Sequence, residues 1–322
     1  MKCNITTIGG GTGTFNVLSG LGKNDKLNLA AIVTVADSGG STGELRDEFG
    51  ILPPGDVRRA IVALSEDTEV VRRLFEYRFK EGRSIAGHTV GNLLLTALSD
   101  IMGDFEHGIE ELCEMFDVRG KVIPVSLDNV HLGVTLENGD RIVGETDIDI
   151  PKHDANIPIR DAFLLGGGRL NPRAKEAIDN SDYVIIGPGD LYTSIIPNLL
   201  CTGMYDAIRS TSAKIIYVCN IMTKHGETDG FSVEDFVRVI EQYIGEGRID
   251  YVLVNNGDLR SNLLSKYEAE EKTPVRLLDR DFILHKGIKI VERDFTSATD
   301  YIRHDPRKLA RTVEDFASGW IK

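Results

Sequence analysis

The stretch Ala36-Asp-Ser-Gly-Gly-Ser-Thr-Gly43 carries the residue types that do chemistry. One carboxylate, Asp37, stands beside Ser38, Gly39, Gly40, Ser41 and Thr42. Glycine lets backbone N–H groups approach a ligand, hydroxyls add donors, and a carboxylate can hold a hard cation. A second loop of the same kind, Gly9, Gly10, Gly11, Thr12, Gly13 and Thr14, lies upstream. If a helix follows such a loop, the positive end of its dipole adds to the amides, and a phosphate or diphosphate is the natural guest. The plain alternative is that the glycines only make tight turns. Asp37 can ligate Mg²⁺ together with phosphate oxygens, hold a sugar hydroxyl, or close an Asx turn. Asp190, in "GPGDLYTS" with Gly189 and Ser194, faces the same choice. His88 in "GHTVGN" can orient a ligand, and Asn92, four residues on, shares its helical face.

Familiar nucleotide motifs do not fit these loops. A P-loop needs G-x-x-x-x-G-K-[ST], and no lysine follows either cluster. A dinucleotide fingerprint needs G-x-G-x-x-G, whereas Gly9, Gly11 and Gly13 run G-x-G-x-G. Asp37 stands where a ribose-binding acid would, but a second glycine loop follows it, which such an acid does not need. "SGGSTG" is not read as a serine nucleophile elbow. No NAD, flavin or haem is expected.

The elements that must position these loops are short β-branched runs alternating with helical patterns. Strands are expected at Asn4–Ile8, Leu29–Val35, Lys121–Val125, Tyr183–Ile186, Lys214–Cys219, Tyr251–Asn255, Val275–Leu278 and Ile288–Val291. Thr89 to Gly103 reads as a buried helix. Asp104, Asn171-Pro172 and the Ser232/Asp235 capping box read as helix starts, and Gly245 as a helix end. Asp56, after "LPPG", reads as a helix cap. Alternating strand and helix means an α/β fold with a mainly parallel sheet. An Asn-Gly turn between alternating runs gives a small antiparallel β-hairpin insertion over about 122–165. Five polar loops follow strands, at 9–14, 36–43, 187–194, 220–230 and 255–258. In a parallel sheet all five fall on one edge, where ligands bind.

Composition narrows the partners. The 322 residues are 41% apolar and 27% charged, with a net charge of −13 and a pI near 5.1. Such a surface repels nucleic acid and anionic membranes. No apolar run reaches the length of a membrane span. Cys3, Cys113, Cys201 and Cys219 lie far apart and read as reduced thiols of a cytoplasmic protein.

The stretches "GGGTGTFNVLSGL", "VTVADSGGSTGELRDEFGILPPGDVRRAIVALS", "GHTVGNLLL", "IIGPGDLYTSIIPNLL" and "CNIMTKHGETDGFS" resemble the gluconeogenesis factor family (YvcK type). That family belongs to the CofD-like superfamily, with 2-phospho-L-lactate transferase. The resemblance covers roughly residues 3–317. It implies a single CofD-like α/β domain over 1–322, a Rossmann-like three-layer sandwich with a nucleotide-diphosphate crevice. The gluconeogenesis-factor branch implies binding of UDP-N-acetylglucosamine and a regulatory role in amino-sugar precursor supply. That role supports cell shape and wall synthesis on gluconeogenic carbon, with a regulatory protein as partner; a homo-oligomer is compatible with it. The transferase branch implies a divalent metal, Mg²⁺, at Asp37, which is catalytic only in that case. Carried over by motif, Gly9 to Thr14 and Asp37 to Ser41 would cradle the diphosphate. Asn92, Gly189, Asp190 and Ser194 would line nucleotide and sugar. "SKYEAEEKTPV" and "DYIRHDP" place Tyr267 at the base and Arg303 at the diphosphate.

Overall fold

Near-continuous Val/Ile/Leu runs need cover on both faces, and the computed structural model places them in one parallel sheet. It describes residues 2–66, 69–297 and 301–321. Asp300, the first residue of "DYIRHDP", lies outside them. The strands are β1 (Cys3–Gly9), β2 (Leu27–Val33), β3 (Lys121–Pro124), β4 (His131–Leu136), β5 (Arg141–Val143), β6 (Ile159–Leu165), β7 (Tyr183–Ile186), β8 (Lys214–Val218), β9 (Tyr251–Asn255) and β10 (Lys289–Arg293). Seven form the main sheet in the order β10-β9-β8-β7-β1-β2-β3, all pairs parallel. Both faces are covered: Ile5, Ile8, Ile32, Val184, Ile185, Ile215, Ile216, Val252 and Leu253 are buried.

The chain winds outward from β1 to β2 and β3, then returns to β7 and winds the other way. The switch point therefore lies between β1 and β7, where a doubly wound sheet opens a crevice at its carboxyl edge. The expected insertion is a separate antiparallel sheet in the order β5-β4-β6, turning at Asn138-Gly139.

The helix signals act as expected. Thr89 caps Val90–Met102 and Asp104 caps Phe105–Met115. Asn171 caps Pro172–Asp179, and Ser232 and Asp235 form a reciprocal capping box before Val233–Ile244, with Gly245 at its end. Two readings need correction. Val275–Leu278 is not a strand. The Val275 N–H goes to the Ile221 carbonyl, the Arg276 carbonyl accepts from Val233, and the Leu278 N–H goes to the Glu234 carboxylate. Its backbone groups are thus spent on a loop and a helix start. Asp56 is not a cap either. The helix Pro54–Leu64 starts after Pro53, which puts Asp56 inside the first turn, buried.

Candidate functional site

At the carboxyl edge a crevice of about 720 Å³ opens between the loops after β1, β2, β7 and β8. The loop after β1 enters the helix Gly11–Leu21 directly, so the start of that helix, Gly10 to Gly13, lines the cavity. Close packing demands the glycine at 13, where a Cβ would lie 2.1 Å from the Pro188 carbonyl oxygen. Of the expected residues, Gly10, Gly11, Thr12, Gly13, Asp37, Gly39, Gly40, Ser41, Asn92, Gly189, Asp190, Ser194, Tyr267 and Arg303 line the crevice. Gly9, Thr14 and Ser38 stand behind it. The Gly9 carbonyl accepts from Thr34, and the Thr14 hydroxyl is packed beside Gly9. Ser38 Oγ accepts from the Thr146 backbone at 3.2 Å, tying the second loop to the insertion. The fifth polar loop does not line the crevice; Asn255 Oδ1 accepts from Phe295 at 2.8 Å, and Gly257 packs on Asp294.

Asp37 makes its Asx turn, Oδ1 accepting from Gly39 at 2.9 Å, and its other oxygen faces Gly55, where a Cβ would approach to 2.8 Å. Two acids that the sequence did not mark as site residues join it. Asp56, from the helix Pro54–Leu64, accepts from the Gly11 amide and pairs with Arg59 at 3.3 Å. Burial pushes its pKa up to about 6, against the pull of Arg59 and with the push of Asp37. Glu145 comes from the insertion, on the short helix Glu145–Asp149. Burial raises it to about 8, and the charges of Asp37, Asp149 and Asp56 add to the rise. Asp56 and Glu145 thus resist ionising beside Asp37, and all three line the crevice with carboxylate oxygens, the donors a hard divalent cation such as Mg²⁺ takes.

A second acidic trio has its cation built in. Asp149, Asp190 and Glu227 offer oxygens within 4.8 Å of one another. Lys224 Nζ lies among them, 2.9 Å from Asp190 and 2.8 Å from Glu227, and bonded to Asp149. Burial works against the Lys224 charge, but the three acids outweigh it and hold its pKa above the usual value. Burial pushes the Glu227 carboxyl up and the Asp190 charge adds to it, while Lys224 and the Tyr192 amide draw it back; Thr193 Oγ1 donates to it at 3.2 Å. Asp190 is therefore engaged by Lys224.

Anion-binding groups come from Arg58, Arg59, Arg78, Lys224, Lys272 and Arg303, all lining the crevice. Tyr267 packs with Ile221, Met222, Leu263 and Ile302, and its hydroxyl meets the Ile302 carbonyl at 3.4 Å. Tyr267 thus packs near Leu263 and Leu264 and also lines the cavity, as Arg303 does. Asn92 is spent on structure, Oδ1 accepting from Arg58 Nε at 2.9 Å and Nδ2 donating to Ser41 Oγ at 3.1 Å. Ser41 also bonds His88 Nδ1 at 2.9 Å. His88 and Asn92 therefore do meet, through Ser41, although His88 precedes the helix. The exclusion of a nucleophile elbow also needs correction, because Gly39-Gly40-Ser41-Thr42-Gly43 has the G-x-S-x-G spacing. The backbone does not follow that motif. β2 ends at Val33, and Ser41 sits in the first helical turn; among the described residues only Asp117 and Glu271 are non-glycines with positive φ.

A larger cavity, about 1140 Å³, lies at the opposite edge, near the amino ends of β1, β2 and β3. Its charges pair with one another, Arg173 with Glu106 and Glu110, and Arg119 with Asp25. The carboxyl-edge crevice is the candidate site, because there the loops, acids and cations converge.

A doubly wound sheet with glycine-rich loops at its switch point defines the class, a nucleotide-type α/β binding fold. Residues 5–296 match the family described as 2-phospho-L-lactate transferase CofD. The gluconeogenesis factor of Bacillus subtilis is 39% identical over 317 residues, covering 98% of both chains. That of Halalkalibacterium halodurans is 40% identical over 314 residues, covering 97% of this chain and 96% of the relative. The crystal structure of a UPF0052 family member from Bacillus halodurans superposes with a TM-score of 0.91 at 38% identity, covering 97% of this chain and 99% of that one. The chain belongs to the CofD family and, within it, to the gluconeogenesis factors.

Proposed function

We propose that this chain binds a UDP-sugar, UDP-N-acetylglucosamine, and acts as a cytoplasmic regulator of amino-sugar precursor supply through a protein partner. In that role it would support cell shape and wall synthesis on gluconeogenic carbon. The observation that carries the reading is the convergence on one crevice of the Gly10–Gly13 loop, the guanidinium of Arg303 and the aromatic ring of Tyr267. Loop amides and arginine suit a diphosphate, and the ring suits a base. Calorimetric titration with UDP-N-acetylglucosamine tests it. Saturable binding is expected, weakened in Arg303→Ala. In Tyr267→Ala the lost stacking of about 1–3 kcal/mol weakens it by roughly 5- to 150-fold. Heats equal to those of buffer overturn the reading.

The acids favour a second reading, a metal-dependent transferase of the 2-phospho-L-lactate transferase type acting on a nucleotide-diphosphate ester. Asp37, Asp56 and Glu145 would hold Mg²⁺, which when bound neutralises diphosphate oxygens as a Lewis acid. The Gly10–Gly13 amides and Arg59 would orient the diphosphate against them. Metal-dependent release of nucleoside monophosphate, lost in Asp37→Ala, is the expected result. No turnover with any metal or acceptor hydroxyl counts against it.

A further inference from the structure

A line of polar contacts, hydrogen bonds from Arg58 to His88 and an ion-pair contact on to Glu44, runs through the crevice wall. It starts at Arg58, buried and able only to donate, whose Nε gives a proton to Asn92 Oδ1. That contact fixes the Asn92 amide, so Nδ2 must donate to Ser41 Oγ at 3.1 Å. At the other end Glu44 Oε2 lies 3.4 Å from His88 Nε2. A carboxylate at that distance favours the tautomer of a neutral ring that carries its proton on Nε2. Nδ1 is then a bare acceptor, 2.9 Å from Ser41 Oγ. Ser41 already accepts from Asn92, and its own proton points at the imidazole. With the ring proton on Nε2, this polarity is the consistent one from Arg58 to His88.

We propose that Ser41, His88 and Glu44 form a reactive serine system, with Ser41 Oγ the nucleophile toward phosphorus in a phosphate ester held in the crevice. His88 is buried and Ser41 lines the cavity among Arg58 and the glycine loops. The order of ring nitrogens is the reverse of that in serine hydrolases, where Nε2 faces the serine; either nitrogen serves as a base. In the first step the Ser41 Oγ–P bond forms and the Ser41 proton moves to His88 Nδ1. The P–O bond to the leaving group breaks on the side opposite Ser41, and the electron pair departs with that oxygen, which takes a proton from water. In the second step an incoming hydroxyl, from water or an acceptor, enters on that far side, returns a proton to solvent and bonds to phosphorus. The Ser41 Oγ–P bond breaks, and Ser41 recovers a proton from His88. The proposal rests on the crevice admitting phosphate esters, and it goes beyond sugar-nucleotide binding.

The test is labelling of the full chain with diisopropyl fluorophosphate, followed by intact mass and peptide mapping. In that reaction Ser41 Oγ–P forms, P–F breaks, fluoride leaves and His88 takes the proton. One adduct per chain on the Ser41 peptide is expected, absent in Ser41→Ala. Its rate should fall about a hundredfold in His88→Asn, the usual scale of a lost general base. Glu44 has a 63% exposed side chain, so Glu44→Gln keeps the fold and should slow labelling. Labelling no faster than in Ser41→Ala, an adduct elsewhere, or wild-type rates in both His88→Asn and Glu44→Gln overturn the assignment. Saturating UDP-N-acetylglucosamine separates the two readings. Labelling unslowed by it counts against the ligand and leaves Ser41 standing, whereas measured sugar-nucleotide binding with no adduct does the reverse.

Discussion

Lys224→Met isolates the electrostatics of the crevice floor. The substitution keeps most of the side chain's bulk and removes the ammonium from among Asp149, Asp190 and Glu227. Breaking a buried ion pair on one side costs about 3–5 kcal/mol. Asp149 and Asp190 are 36% and 44% exposed here, so water screens part of the loss, and the low end, about 3 kcal/mol, applies. An unfolding entropy of about 2.1 cal/mol/K per residue over 322 residues converts that to a melting temperature lower by about 4–5 °C. The three acids then offer oxygens within 4.8 Å of one another with no resident cation. Ca²⁺, tolerant of flexible oxygen sets, should bind there; at 100 times its Kd it returns about 2.7 kcal/mol. Differential scanning fluorimetry, with and without Ca²⁺, reads both effects. The variant should gain about 4 °C more from the cation than the wild type does. Lowering the pH to protonate the acids should close the gap between the two proteins. A variant melting with the wild type, or one gaining no extra stability from Ca²⁺, would refute the account of Lys224 as a built-in counter-ion.

Two pH dependences follow from the same wall. The Glu145 pKa is raised from 4.5 to about 8 and the Asp56 pKa from 3.8 to about 6, so the folded state keeps protons that the unfolded state has lost. Their stabilisation is complete below the unfolded values and is lost as pH rises through the folded ones. Chemical denaturation without divalent ions should show stability declining toward pH 8, a trend flattened in Glu145→Gln. Under the transferase reading, Mg²⁺ would displace those protons, and its affinity by calorimetry should climb between pH 6 and 8. His304 has the opposite sign. Burial drives its pKa from 6.5 down to about 4, against a hydrogen bond to the Cys219 backbone, so the folded state favours the neutral ring. Stability should fall as pH drops from 6.5 toward 4, and His304→Gln should remove that slope.

Local signals carried most of the architecture. Tyr183–Ile186 and Tyr251–Asn255 were legible to the residue because β-branched runs between polar loops have few alternatives. Caps such as Thr89 and Asp104 act within one helical turn, so their partners are close in sequence. Val275–Leu278 shows where this fails, since its backbone groups go to Ile221, Val233 and Glu234, partners that no local pattern announces. The site was half legible for the same reason. Glycine loops announce themselves, but an acid or a lysine looks like solvated surface until the fold closes around it. Glu145 and Asp149 arrive on the insertion, 108 residues separate Ser38 from the Thr146 that binds it, and Lys224 lies 34 residues beyond Asp190. Their chemistry follows from burial among like charges, which no local pattern encodes. The Ser41–His88–Glu44 chain belongs to the same class. Each residue alone reads as a turn, a cap or a surface charge, and only the shared hydrogen atoms give the line its direction. The insertion is thus more than a decoration of the sheet. It delivers Glu145 beside Asp37 and Asp149 onto Lys224, so that the crevice balances its acids against its cations only when the antiparallel sheet is in place.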